Sequence, residues 1–334
     1  MVMGELAQDT ELLVIGSGPG GYAAAFRAAD LGLDVTLVDT APRPGGVCLY
    51  KGCIPSKTFL FLSELIFDAA RAGAMGISFG PPRIDLPGLR RWKAEVIEKM
   101  AGGLMGLTKR RGVQLVKGRA EFESSESVRL HEAEISRIRF RHAIIATGSQ
   151  PMPFPGTDFA AGRRIMNSTG ALALADVPGS LLVLGGGYVG LELGTVYAAL
   201  GSRVSLVELQ DRLLPGVDPD LVDPLQRRLS SIFADIWLNT RVTQLTEEDS
   251  GVAVRLEGAG VPPEQRFERV LVAIGRKPAA RGLGLEHTRV QTDAQGFIRV
   301  DAQLRTADER IFAVGDAVGG MMLAHKASYE GKVA

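Results

Sequence analysis

The stretch LLVIGSGPGGYAAAFRAADLGLDVTLVDT, Leu12 to Thr40, decides the fold. Leu12 to Ile15 is a short apolar run stopped by glycine, the pattern of a buried strand. GSGPGG follows at once, and YAAAFRAADLG continues as a helix rich in small residues. Gly16, Gly18 and Gly21 have the dinucleotide spacing. In it the first glycine makes the turn, the second lets backbone approach a pyrophosphate, and the third lets helix pack on strand. The free N–H groups and the dipole of the helix start suit a diphosphate. VTLVDT reads as a second strand ending in Asp39, 23 residues beyond Gly16, where an acid holds adenosine ribose hydroxyls. Glycine spacing alone is a weak signal. Strand, glycines, helix, strand and acid in that order are a strong one.

The unit occurs twice. LLVLGGGYVGLELG places Gly185, Gly187 and Gly190 at the same spacing, with a helix behind and the strand RVSLVE after it. That strand ends in Glu208, again 23 residues past the first glycine. A carboxylate there accepts hydrogen bonds from an unmodified ribose and repels a 2′-phosphate, which reads as NAD rather than NADP. Arg212, one turn further, carries the opposing sign.

Between the two units lies GGVCLYKGCIPSK, Gly45 to Lys57, with the only two cysteines, Cys48 and Cys53. On an ideal helix, Cα atoms five positions apart lie roughly 8–9 Å from each other. A disulfide wants about 4.4–6.8 Å, so pairing requires a tightened or unwound turn, for which Gly52 supplies backbone freedom. Pro55 suits an early turn of the helix that SKTFLFLSELIFDAARA continues. Cys53 then stands near that helix's N-terminus, where the dipole favours a thiolate. A redox-active disulfide fits these features. From spacing alone, a chance pair of buried thiols fits as well. No second cysteine pair or spaced histidine pair completes a zinc site.

The remainder frames these signals. At 334 residues the chain is long enough for two domains. Basic and acidic residues balance at 38 each, which leaves no basic field for nucleic acid. The polar start MVMGELAQDT lacks a signal-peptide layout, and no apolar run reaches the roughly 18–20 residues of a membrane span. A reducing cytoplasm is the expected location, and a lone cysteine pair there is more often catalytic than structural. Gly88 to Arg111 reads as a long helix, and VQLVKGRAEF through Phe140 as strands of a small sheet. RHAIIATGS is a further strand closing in Ala146, Thr147 and Gly148, before a proline-rich boundary. Asp218 to Ile232 suits a helix, Ile236 to Leu256 a strand pair, and VLVAIGRKP and IFAVGD further strands. Leu323 opens a helix that the sequence does not cap before Ala334, as if cut within an element.

The ordered set GSGPGG, CLYKGCIPSK, ATGS, GGGYVGLE, AIGRKP and AVGDAVGGMMLAHKA resembles the FAD-dependent pyridine nucleotide–disulfide oxidoreductases over essentially the whole chain, and within them the dihydrolipoyl dehydrogenase branch. The resemblance implies an α/β fold with two Rossmann-like dinucleotide-binding domains of the glutathione reductase/dihydrolipoyl dehydrogenase type. It implies an FAD domain over residues 1–150, an NAD domain over 151–276 and an FAD-domain return segment over 277–334. For FAD it implies Gly16, Gly18 and Gly21 at the pyrophosphate, Asp39 at the adenosine ribose and Gly46 as a further cofactor-binding residue. Ala120 falls near the adenine, and Thr147 and Gly148 against the cofactor. Asp316 would meet the ribityl or phosphate end, and Leu323 and Ala324 the flavin ring. Lys57 matches a lysine beside the flavin and Glu192 its ion-pair partner. For NAD it implies Gly185, Gly187, Tyr188, Val189, Gly190 and Glu208, with Tyr188 as a displaceable lid, and the turn Ala273, Gly275 and Arg276. Each has a duller reading: a surface lysine for Lys57, an ordinary helix face for Glu192, a core aromatic for Tyr188.

By the same resemblance, Cys48 exchanges with a dihydrolipoyl group of a 2-oxoacid dehydrogenase or related complex, Cys53 faces the flavin, and NAD⁺ is the final acceptor. The catalytic set is therefore Cys48, Cys53, Lys57 and Glu192. Two departures stand out. Tyr50 and Lys51 separate the cysteines where many members have an uncharged pair. The family's C-terminal dimerisation domain, with its His–Glu acid–base pair, is not matched by His131, His142, His287 or His325. The expectation is a shortened member, homodimeric when full length, with impaired dithiol turnover and apolar surface exposed where the missing domain docks. A mercuric or glutathione-type reductase and a non-catalytic FAD/NAD-binding module are the competing readings.

Overall fold

A computed structural model describes residues 7–160 and 163–334. The first six residues of the polar N-terminal stretch lie outside that description. The chain begins with β1 (Ala7–Ile15), α1 (Pro19–Asp30), β2 (Val35–Asp39), α2 (Gly46–Lys51), α3 (Cys53–Arg71) and α4 (Leu86–Arg110). Then come β3 (Gln114–Lys117), β4 (Arg119–Ser124), β5 (Ser127–His131), β6 (Arg137–Ile145) and β7 (Ser149–Pro151). Next are β8 (Ile165–Met166), α5 (Ser168–Ala173), β9 (Ser180–Leu184), α6 (Tyr188–Ala199), β10 (Arg203–Val207) and α7 (Pro219–Ser230). Then follow β11 (Asp235–Trp237), β12 (Arg241–Glu248), β13 (Gly251–Glu257), β14 (Glu264–Phe267) and β15 (Arg269–Val272). β16 (Arg276–Pro278), β17 (Ile311–Ala313) and α8 (Ala324–Val333) complete it.

Contacts divide the chain into two units. The first takes the chain up to Tyr50, Ile97–Gln150 and Arg276–Ala334. Its seven-stranded sheet runs β3-β2-β1-β6-β5-β4, with β17 also on β6. β1 pairs parallel with β2 on one side and with β6 on the other, so the strand order reverses between β1 and β6. Ligands of open α/β sheets bind at such a reversal, beyond the carboxyl ends of the strands. The stretch from Gln114 to Phe140 does not form a separate small sheet. β6 runs unbroken from Arg137 to Ile145 along β1, with β5 antiparallel on the far edge of its first half and β17 parallel on its second. The late segment is locked in by small residues: a Cβ at Gly331 of α8 would stand 2.3 Å from the Gly20 carbonyl oxygen of α1.

The second unit takes Lys51–Val96 and Pro151–Gly275. Its parallel sheet runs β11-β10-β9-β15-β8 and reverses between β9 and β15, and β12, β13 and β14 form an antiparallel sheet. Residues 51–96 belong here because Phe59 of α3, 2% exposed, enters the core built by Leu181, Leu191 and Leu206. Lys93 and Arg90 of α4 donate to the Leu172 and Leu174 carbonyls, capping the end of α5. Burial, then the neighbouring Arg90 charge, pull the Lys93 ammonium below its ordinary range. Among the described residues no helix is long and apolar enough to cross a membrane.

Candidate nucleotide and redox sites

In the first unit the loop after β1 turns on Gly16, at φ 101°, a conformation that side chains avoid. A Cβ there would also meet the Ala146 carbonyl oxygen at 2.3 Å, because the ends of β1 and β6 lie together at the sheet reversal. A Cβ at Gly21 would meet the Gly16 oxygen at 1.7 Å. The loop is clasped by Asp39, whose carboxylate accepts from the Ser17 N–H at 2.6 Å, the Ser17 hydroxyl at 2.7 Å and the Ala41 N–H at 2.8 Å. Gly18 caps α1, which starts with no side-chain cap and no acid in its first turn, so its N–H groups are available to an anion. Gly46 closes over Gly18: a Cβ at Gly46 would stand 2.6 Å from the Gly18 Cα.

The turn after β6 carries a buried hydroxyl, Thr147 Oγ1, with no hydrogen-bond partner among the described residues. Beyond it, the Ser149 hydroxyl donates to Asp316 Oδ2. Arg276, expected at the second nucleotide, directs Nε to that hydroxyl at 2.6 Å and Nη2 to the Ser149 carbonyl at 2.8 Å. Ala120 is buried in the sheet core, cross-strand from Leu130. Leu323 caps α8 without a side-chain hydrogen bond, and Ala324 is its first residue. A tight backbone cradle, an uncapped helix start and an orphaned hydroxyl fit a dinucleotide such as FAD.

The second unit repeats the cradle. Gly185 has φ 102°, and a Cβ there would meet the Ala273 carbonyl oxygen at 2.5 Å. A Cβ at Gly190 would meet the Gly185 oxygen at 2.2 Å. Glu208, 8% exposed, accepts from the Gly186 N–H at 2.6 Å and the Gln210 N–H at 2.8 Å. Arg212 pairs with Asp211 at 3.3 Å. Gly187 caps α6 with no side-chain hydrogen bond, and apart from its two chain neighbours no described atom lies within 4 Å of where its Cβ would be. Tyr188, the first residue of α6, is 44% exposed, while Val189 leans on the core. Gly275 falls at the end of this unit, just beyond Ala273 in the turn after β15. These residues fit a second dinucleotide.

The cysteine stretch folds as two helices rather than one. Cys48 lies in α2 and Cys53 opens α3, with Gly52 between them at φ −148° and ψ −110°, which no helix continues. Both cysteines are half-buried. Ahead of α2, Arg43 forks onto the Glu98 carboxylate, and that hydrogen bond raises the guanidinium and lowers the carboxyl from their ordinary values. Within the second unit, Lys57 Nζ stands 2.6 Å from Glu192 Oε1, 135 positions away in sequence. The buried Ser56 hydroxyl lies 2.8 Å from Glu192 Oε2 and 3.2 Å from the Cys53 carbonyl. It has one proton, and the charged, nearer acceptor is favoured. Ser17, Ser56 and Ser149 are the positioning residues that sequence reading passed over. Each follows or lies within a quoted motif, the one signal that points to it. Among the described residues no group of three or more His, Cys, Asp or Glu could hold a metal.

A family model described as pyridine nucleotide-disulphide oxidoreductase matches residues 10–331. Dihydrolipoyl dehydrogenase 2 of Haloarcula marismortui is 45% identical over 339 residues, covering 100% of this chain and 71% of that protein. The dihydrolipoyl dehydrogenase of Vibrio parahaemolyticus is 44% identical, covering 97% and 68%. Among solved structures, LpdA of Mycobacterium tuberculosis aligns with a TM-score of 0.86 at 27% identity, covering 97% of this chain and 71% of that one. The flavoprotein disulfide reductase RclA of Escherichia coli aligns with a TM-score of 0.83 at 27% identity, covering 97% and 70%.

Proposed function

From the chain's membership of the pyridine nucleotide-disulphide oxidoreductases we propose that it is a flavoprotein oxidising dihydrolipoyl groups on a partner protein, with FAD as resident cofactor and NAD⁺ as acceptor. The observation that carries this reading is the unlike closure of two like cradles within one chain. Gly46 roofs the first, while the position above Gly187 is open. A roofed cradle suits a cofactor that stays, and an open one suits a nucleotide that comes and goes. Relatives named dihydrolipoyl dehydrogenase, 40–45% identical, support the substrate class.

In the proposed reaction a dihydrolipoyl thiolate attacks Cys48 of a Cys48–Cys53 disulfide, and the S–S bond breaks with Cys53 leaving as thiolate. The second substrate thiolate then attacks the mixed disulfide, closing the lipoyl ring and leaving Cys48 reduced. FAD, when bound, supplies the relay that hands this electron pair on as hydride to NAD⁺. The N-terminal position of Cys53 on α3 favours its thiolate. Glu192, fixed by the Ser56 hydroxyl, holds Lys57 in one place. Glu208 selects the unmodified ribose of NAD⁺. Asp39, Thr147, Asp316 and the uncapped start of α8 would hold FAD, and homodimerisation is expected as in the family.

The test is direct. Purified protein should show a flavin spectrum and bleach on adding dihydrolipoamide anaerobically, and NADH should form when NAD⁺ is added. A colourless protein, or one reduced only by NADPH with glutathione disulfide or Hg(II) as acceptor, overturns the reading.

A further inference from the structure

We propose that Arg276 and Ser149 are positioning residues for the flavin site, acting through Asp316, and that Arg276 is not a contact of the nicotinamide nucleotide. The inference rests on the first cradle being the FAD site. β16, which starts at Arg276, pairs with β7, which starts at Ser149, and this brings the two side chains together within the first unit. The guanidinium forks over one residue, Nε on the hydroxyl at 2.6 Å and Nη2 on the carbonyl at 2.8 Å. Arginine has donors only, so the Ser149 oxygen must accept from it. The single hydroxyl proton is thereby turned toward Asp316 Oδ2, which lies 3.9 Å from Nε.

Asp316 is thus held as an acceptor by one oxygen. Among the described residues no hydrogen bond reaches the other, Oδ1. The cluster is shielded: Ser149 is 7% exposed, and the side chains of Arg276 and Asp316 are 16% and 22% exposed. Two residues before Ser149 on the same turn stands the orphaned, buried Thr147 hydroxyl. A carboxylate oxygen and a hydroxyl, both without protein partners and beside the glycine cradle, point to hydroxyls and phosphates of a ligand. Gly315, just before Asp316, is tied by its N–H to Glu330 of α8 at 2.7 Å, so the acid is fixed from both sides. A guanidinium committed twice to Ser149 is placed to set this acid.

The 334-residue chain is titrated with FAD after removal and re-addition of flavin, and separately with NADH, for the wild type and for Arg276→Met, Arg276→Lys, Ser149→Ala and Asp316→Asn. Arg276→Met should weaken FAD about ten- to a hundredfold, the equivalent of one charge-assisted hydrogen bond. NADH affinity should stay within about twofold, and Arg276→Lys should recover part of the loss. In the Asp316→Asn background, Arg276→Met should add little, because the two act as one unit. FAD affinity that holds, NADH affinity that falls instead, or effects that simply add would each overturn the inference. If Arg276→Met does not fold, Ser149→Ala, which removes one hydroxyl, carries the same test. A wild type that takes up no flavin fails the parent reading, and is told apart by failing before any substitution.

Discussion

The two glycine cradles are one device made by different means. Both turn on a glycine near φ 100° and both back onto an alanine carbonyl at the sheet reversal. The first is clasped by the shorter acid, Asp39, with the Ser17 hydroxyl as a further donor. The second uses the longer Glu208, which accepts from the loop N–H at the same 2.6 Å with no hydroxyl beside it and leaves no room for a side chain at position 186. A Cβ there would stand 2.8 Å from Leu213 Cδ2 and 3.1 Å from Glu208 Oε2. Acid length and loop residue compensate. The roofs differ more. Gly46 sits against Gly18 in the first, whereas nothing described beyond its chain neighbours lies within 4 Å of a Cβ at Gly187 in the second. Two like cradles are therefore closed differently, the first by a single crossing glycine.

The comparison breaks most visibly at the third glycine of each fingerprint. A methyl at Gly21 or Gly190 overlaps a backbone oxygen, at 1.7 Å and 2.2 Å respectively, and a backbone atom cannot step aside as a side-chain tip can. Each Gly→Ala change should cost its own unit about 3 kcal/mol or more. Gly21→Ala should give protein without flavin. Gly190→Ala should stay yellow and lose NADH binding, as read by absorbance and by NADH titration. Equal loss of both ligands in either variant would show that the cradles are not separable.

A second test exchanges the compensating pair. Gly186→Ser, pressing on buried Leu213, should cost the second cradle about 1–3 kcal/mol. Ser17→Gly removes one of four bonds to Asp39 and should cost about 1 kcal/mol. Thermal melts with and without each ligand measure both. A smaller effect isolates binding from folding. Gly187→Ala meets no described atom within 4 Å, so the melting temperature should hold, while a methyl where the diphosphate approaches should weaken NADH about tenfold, roughly 1.4 kcal/mol.

Both fingerprints were legible because backbone geometry restricts their first and third positions to glycine, and the restriction shows in the letters. β6 was not. Its first half alternates, with Arg139 and Arg141 exposed and Ile138 and Phe140 buried, and its second half, Ala143 to Ile145, is buried on both faces. One strand with one wet face and then none reads as two strands. Arg276 adjoins Gly275 in sequence, and nothing in a motif says where a strand's first side chain points; it points at Ser149. The serines that set the acids were invisible for a different reason. A hydroxyl's role is assigned by its partners, and those partners lie 22, 136 and 167 positions away.

The smallest expected effect lies between the cysteines. Lys51 is the exposed last residue of α2, and Gly52 then breaks the helix before Cys53. A cation adjoining a dithiol favours its reduced, ionised form and so raises the reduction potential. Being in water, that charge is worth only about 20 mV for a two-electron couple. Lys51→Val should therefore lower the potential of the Cys48–Cys53 couple by about that much, measured by equilibration against a lipoamide or glutathione redox buffer. A shift smaller than about 15 mV, half a tenfold step, removes Lys51 from the account. The shift should also shrink as ionic strength rises toward 1 M, where the screening length falls to about 3 Å. A shift that ignores salt would mean that the substitution acts by changing the helix break at Gly52, and that the charge itself does nothing.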